Sequence, residues 1–212
     1  MRTDDLIRAI ALDADAAPKR LVPAVILAIA VSAGLAWLAM WSLLGPRPAV
    51  DPAFAAARYP LKFIITGSFV AAACFLALRL ARPGAQVIGP RLALIGAIGV
   101  FATAVVAEMF VTPTGLWWDR MVGRNSLICL TYIPIISAAP LASILLALKR
   151  GAPGSPSALG AAAGLLAGAI GATFYAIHCP DDSPLFLAVW YTFAVAIVTM
   201  IGALAGARAL RW

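Results

Sequence analysis

Six stretches of about 20 predominantly apolar residues recur along this chain, near 22–44, 61–81, 91–112, 127–148, 158–178 and 185–207. Each is long enough to cross a hydrocarbon core roughly 30 Å thick. With only 12% charged residues, against about 25% in ordinary soluble domains, the chain is a membrane protein by composition. The breaks between the stretches, such as "RPGAQVIGP", "KRGAPGSPS" and "CPDDSP", are rich in Pro, Gly and charge and too short to be domains. The fold expected is all-α: a polytopic helical bundle of six transmembrane helices. The first apolar run follows some 20 polar residues and exceeds a secretory h-region of about 7–15 residues, so it is expected to remain as an anchor.

Lys and Arg set the orientation. With the N-terminus in the cytoplasm, that side holds Arg2, Arg8, Lys19, Arg20, Arg79, Arg82, Arg91, Lys149, Arg150, Arg208 and Arg211, and the other side holds Arg47, Arg58, Lys62, Arg120 and Arg124. Eleven against five follows the positive-inside rule, with both termini cytoplasmic. The net charge of +7 is spread singly or in pairs beside apolar runs, and no basic stripe for direct nucleic-acid binding exists. Trp37, Trp41, Trp117 and Trp118 fall at the outer boundary, where indole rings favour the interface. Gly160, Gly164 and Gly168 recur every four residues in the fifth span, a flat face for close helix approach. Packing within the bundle is the expected use of this ladder, and a homo-oligomer seam is the alternative.

The chemistry-bearing residues gather at the outer end. Cys129 enters the fourth span there and Cys179 leaves the fifth, at about the same depth, so a disulfide, which needs Cα atoms roughly 4.4–6.8 Å apart, is geometrically possible. His178 adjoins Cys179, and Glu108 lies in the last turn of the third span at similar depth. With Asp181 and Asp182 nearby, these residues form a candidate Cys/Cys/His/carboxylate shell for a borderline or soft metal. For Asp181 and Asp182 the stronger reading is structural, "PDDSP" being a natural turn whose Asp and Ser cap the next helix. An intramembrane carboxylate such as Glu108 is costly enough to raise a functional hypothesis by itself. Cys74, in the body of the second span, reads as a small apolar filler. No serine, histidine and carboxylate constellation is available, so no enzyme is expected. A transporter would need polar residues along several spans, and these are absent. An inner-membrane scaffold is the other alternative.

The N-terminus "MRTDDLIRAIALDADAAPKR" differs from the rest. Thr3 can cap a helix with Asp4 and Asp5 in its first turn. Leu6, Ile7, Ile10 and Ala14 then share one apolar stripe, and Pro18 is expected to end the helix. A helix of about 14 residues is marginal alone. Its acidic balance, Asp4, Asp5, Asp13 and Asp15 against Arg2 and Arg8, favours a basic protein partner over the lipid surface.

The opening "RTDDLIRAIALDA", the run "LICLTYIP...APLASILLALKRGAP" with Cys129, the run "GLLAGAIGATFYAIHCPDDSPLFLAVWY" with Cys179 and the six-span layout together resemble the NrsF-like family of bacterial membrane anti-sigma factors. Those proteins are negative regulators of extracytoplasmic-function sigma factors. The resemblance implies a cytoplasmic segment, residues 1–20, that holds a sigma factor at the inner membrane, and a six-helix transmembrane sensor domain over 21–212. It further implies that Cys129 and Cys179 sense heavy metal or oxidative stress, with a transient heavy-metal ion the one cofactor-like species. His178 is then a neighbour of the sensor.

Overall fold

A computed structural model describes residues 3–47 and 57–211, apart from the side chains of Leu6 and of residues 9–20. Among the described residues every long regular element is a helix, and there is no strand. This is the outcome a bilayer enforces, because a helix satisfies its backbone polar groups within one segment. The helices are α1 (Thr3–Leu43), α2 (Arg58–Leu80), α3 (Ile88–Val111), the short α4 (Trp117–Val122), α5 (Ser126–Leu148), α6 (Pro156–His178) and α7 (Pro184–Ala209). Six of them carry the expected spans, the first being Leu21–Leu43 within α1.

Local sequence sets the boundaries. Ser155 and Ser183 each precede a proline, and each side-chain oxygen accepts a backbone N–H two or three residues on, from Ala158 at 3.4 Å and Leu185 at 3.3 Å. Ser at the N-cap and Pro at the first helical position is the preferred start. α6 stops at Cys179, which is extended, because Pro180 disfavours helical geometry in the residue before it. α1 ends at Gly45, whose φ of 68° is open to glycine at little cost, and its N–H returns to Met40 O at 3.0 Å. α7 contains one π turn, Leu187–Tyr191.

One expectation is corrected. Pro18 does not end the N-terminal helix: α1 runs unbroken from Thr3 to Leu43 through both Pro18 and Pro23. A proline inside a helix costs about 3 kcal/mol. Here good helix formers flank both positions, Ala14, Ala16 and Ala17 before Pro18 and a membrane-spanning run after it, and their combined preference carries the helix across. Pro134 and Pro140 likewise lie inside an unbroken α5.

α6 is the centre of the bundle, with 72% of its span window buried against 17% for α3 at the periphery. The glycine ladder accounts for this. A Cβ added at Gly164 would lie 2.6 Å from Val198 O, and one at Gly206 would lie 2.5 Å from Gly160 Cα. The α6 and α7 backbones therefore touch, and α7 covers the ladder from within the same chain. At the end of the bundle nearest the N-terminal segment, the α5–α6 link is tied to the α2–α3 link by Ala152 N–H to Ala81 O at 3.0 Å. The two cysteines lie at the opposite end.

Candidate functional site at the cysteine end of the bundle

The turn from Cys179 to Ser183 holds this end together. Lys62, in the second turn of α2, is 1% exposed. Its Nζ donates to Asp182 Oδ1 at 2.6 Å, to Cys179 O at 2.8 Å and to Asp181 O at 3.4 Å. An ammonium has three protons to place, and burying it unpaired costs several kcal/mol, so three oxygens are what this position demands. Arg47, just past the end of α1, pairs with Asp182 at 3.3 Å, reaches Cys179 O at 3.4 Å and lies 4.4 Å over the Tyr59 ring. Asp181 turns the other way. Its carboxylate accepts the backbone N–H of Arg124 and, at 2.9 Å, of Asn125. It therefore caps the start of α5 from outside that helix, where negative charge complements the dipole.

Ser183 and Glu108 extend the cluster to α3. Glu108 is 4% exposed. It accepts Arg58 Nε at 2.8 Å, Thr112 Oγ1 at 3.2 Å and Ser183 Oγ at 3.3 Å. His178 Nδ1–H donates to Gly45 O at 2.9 Å. One short turn and the histidine before it thus contact the end of α1 and the nearby ends of α2, α3 and α5, besides joining α6 to α7.

Cys129 and Cys179 are both free thiols and both 0% exposed. Cys129 sits in the first turn of α5, with its N–H on Asn125 O at 2.8 Å, and Cys179 caps α6, with its N–H on Tyr175 O at 3.1 Å. Cys129 lies in the electrostatic field of Cys179. Burial pushes the Cys179 thiol above its ordinary pKa, while the Lys62 ammonium and a hydrogen bond to Asp181 O pull it down. The buried hydroxyls of Tyr175 and Tyr191 lie near the Cys179 thiol, yet among the described residues neither meets a partner in hydrogen-bonding geometry. Cys74 is twelve residues beyond Lys62 on α2, about 18 Å further along that helix.

Among the described residues no group of three or more His, Cys, Asp and Glu side chains is arranged to hold a metal. Cys129 and Cys179 come into one neighbourhood, but His178 and Glu108 are not gathered with them; their polar atoms serve Gly45, Arg58, Thr112 and Ser183. The donors present do not form the four-ligand shell of structural zinc. At the other end of α1, Thr3, Asp4, Asp5 and Arg8 are exposed, as is Ile7 at 60%. The side chains of Leu6 and Ile10 lie outside the described residues.

Sequence reasoning missed Lys62, Arg47, Arg58, Tyr175 and Tyr191. A usable signal was present. Arg47, Arg58 and Lys62 are three of the five cations on the side that the charge bias disfavours, and that side also carries Glu108, Asp181 and Asp182. Cations retained against the bias, beside carboxylates that are costly to bury, point to ion pairs.

The family described as "Negative regulator of sigma F" (NrsF) matches residues 10–212. The "Anti-sigma-F factor NrsF" of Caulobacter vibrioides is 34% identical over 218 residues, and the "Probable anti-sigma-F factor NrsF" of Azospira oryzae is 33% identical over 218 residues. In both cases the similarity covers 100% of each chain. No solved structure matches. With the family's match spanning nearly the whole chain and one third of residues shared end to end with both relatives, the chain belongs to the NrsF family of negative regulators of sigma F.

Proposed function

We propose that this protein is a membrane-bound anti-sigma factor that holds an extracytoplasmic-function sigma factor through its N-terminal helix. It releases that partner when Cys129 and Cys179 react with a heavy metal or an oxidant. Family membership supports the anti-sigma role. The observation that carries the sensor reading is that the two thiols are buried together at one end of the bundle, one of them inside the turn that ties that end together. The eleven-to-five charge bias supports an inner-membrane orientation with both termini cytoplasmic and the thiols in the periplasm, an oxidising compartment.

Either chemistry converts two separate helix ends into a linked pair. Peroxide takes two electrons and two protons from the thiols, giving one disulfide and two waters. A soft divalent ion displaces two protons and bridges the two sulfurs. The apolar groove of about 680 Å³ between α2, α3, α6 and α7 gives transport no support. Its threonines Thr66, Thr192 and Thr199 bond their own helix backbones, so its wall offers no polar path.

Co-purification from membranes tests the reading. The full-length protein should retain a sigma factor at rest and lose it after cadmium or peroxide, and Cys129→Ser, Cys179→Ser and the double variant should each abolish that loss. Cys74→Ser should respond normally. Release that persists in the double variant would refute the thiol switch, and absence of any sigma factor from the wild-type preparation would refute the partner. A chelator should reverse the cadmium effect, and only a reductant the peroxide effect.

A further inference from the structure

We infer that α1 is the element that carries the state of the thiol pair to the partner-binding segment, and that Arg47 and His178 are its coupling contacts. This rests on the anti-sigma reading above. α1 is one helix of 41 residues, about 60 Å long at 1.5 Å per residue. Its first turns hold the exposed Asp4, Asp5 and Ile7. Its far end is gripped by the Cys179 turn, through His178 Nδ1–H on Gly45 O at 2.9 Å and through Arg47 on Cys179 O and Asp182. Between these ends α1 packs along α5. Ser32 and Ser143 share a 2.7 Å hydrogen bond inside the span, and Leu21, Val25, Ala36 and Met40 are buried in the core that also takes in α5.

α1 therefore rests on both thiol-bearing elements, α5 with Cys129 and the α6–α7 turn with Cys179. Linking the two thiols changes the relative position of its two supports. α2 also touches the turn, through Lys62, but α2 ends at Leu80 and does not continue into the N-terminal segment. The continuity of α1 across Pro18 joins the two sites, where a break at that proline would have separated them.

Two variants of the full-length membrane protein test the inference, with three readouts: sigma factor bound at rest, sigma factor bound after cadmium or peroxide, and thiol state by differential alkylation. Four glycines inserted between Ala17 and Pro18 interrupt the rod without touching the sensor. Arg47→Gln combined with His178→Phe cuts the grip without touching the rod. Both variants are expected to hold the partner at rest and to have both thiols fully modified under stress, the Arg47 and His178 variant at least as fast as wild type because Arg47 also holds Cys179 O and Asp182. Both should release at least about fivefold less partner than wild type, the lower end of measured allosteric couplings. Wild-type release from either variant would overturn the inference. Loss of thiol modification together with release would also overturn it, because the grip would then belong to the sensor. So would loss of the partner at rest in both, because α1 would then be part of the binding element. A wild-type protein that holds no sigma factor refutes the anti-sigma reading instead, a result separate from these three.

Discussion

The Lys62–Asp182 pair predicts an asymmetry that a double-mutant cycle can measure. In Asp182→Asn, Lys62 keeps only neutral acceptors, Cys179 O, Asp181 O and the new amide oxygen, and Lys62 is 1% exposed. Removing one partner of a buried pair costs about 3–5 kcal/mol, because the other charge is left uncompensated. The two carbonyls and the 18% exposure of Asp182 place the expected loss at the lower end, about 3 kcal/mol. In Lys62→Met, by contrast, Asp182 keeps Arg47 at 3.3 Å. The methionine carries no charge, so the loss should be about 1.5–2 kcal/mol, the lower end of the scale of a charged hydrogen bond. The double variant should recover part of the Asp182→Asn loss. Thermal unfolding of the detergent-solubilised protein, followed by tryptophan fluorescence, should show a midpoint fall of about 6–12 °C for Asp182→Asn, at about 2–4 °C per kcal/mol for a chain of this size. An Asp182→Asn variant within about 0.5 kcal/mol of wild type, the usual effect of a surface substitution, would refute the reasoning. So would a Lys62→Met loss larger than that of Asp182→Asn.

Gly164→Leu should prevent stable assembly of α6 against α7, since even its Cβ would lie 2.6 Å from Val198 O; size exclusion in detergent reads this as aggregation, while Gly96→Ala, where a Cβ meets open space, should stay monodisperse. Gly123→Ala should destabilise the cysteine end, because residue 123 has φ +60° and its Cβ would lie 2.5 Å from Phe186; a thermal midpoint equal to wild type would count against the assigned geometry. Ile7→Glu should weaken sigma-factor retention at least fivefold, because a carboxylate desolvated in an apolar groove costs about 1–3 kcal/mol or more, with co-purification as the measure. The reaction of Cys179 with an oxidant should quicken as pH rises, by up to about tenfold per unit below its raised pKa, because the thiolate is the reactive form; a flat profile between pH 6 and 9 would show that the step limiting the rate is not proton loss.

The spans were legible because a bilayer leaves one structural solution for a 20-residue apolar run, and their ends follow from Ser-Pro and Pro-Gly signals adjacent in sequence. The shared depth of Cys129 and Cys179 followed from the alternation of the spans. The side-chain pairings did not follow. Asp181 and Asp182 are neighbours that read together as a turn, yet one caps α5 at Asn125 and the other binds Lys62 and Arg47. The difference comes from which helices lie on either side of the turn, and that is fixed by long-range packing around the α6 ladder. Lys62 counted in the sequence only as one of the outer-side charges that set orientation, and its burial depends on the same packing. Pro18 misled for a different reason: a local penalty was weighed without the preferences on both sides of it.

Burial of both thiols governs how a reagent reaches them. At 0% exposure neither sulfur meets a reagent in the closed state, so reaction passes through an opened turn in which Lys62 has given up its oxygens. When opening and closing are fast relative to reaction, the rate follows the population of the open form. Asp182→Asn weakens the closed state without touching either cysteine. If its loss of about 3 kcal/mol is felt wholly by the closed turn, the open population rises by about 100-fold, at tenfold per 1.4 kcal/mol. The variant should therefore be both less stable and more sensitive, with Cys129 and Cys179 alkylated by iodoacetamide up to that factor faster at fixed pH, and with Cys74, remote on α2, unchanged. An equal acceleration at Cys74 would mean global unfolding in place of local opening. An unaltered rate at Cys129 and Cys179 would mean that the reagent reaches the sulfurs without breaking the Lys62 contacts, and the turn would lose its role as the gate.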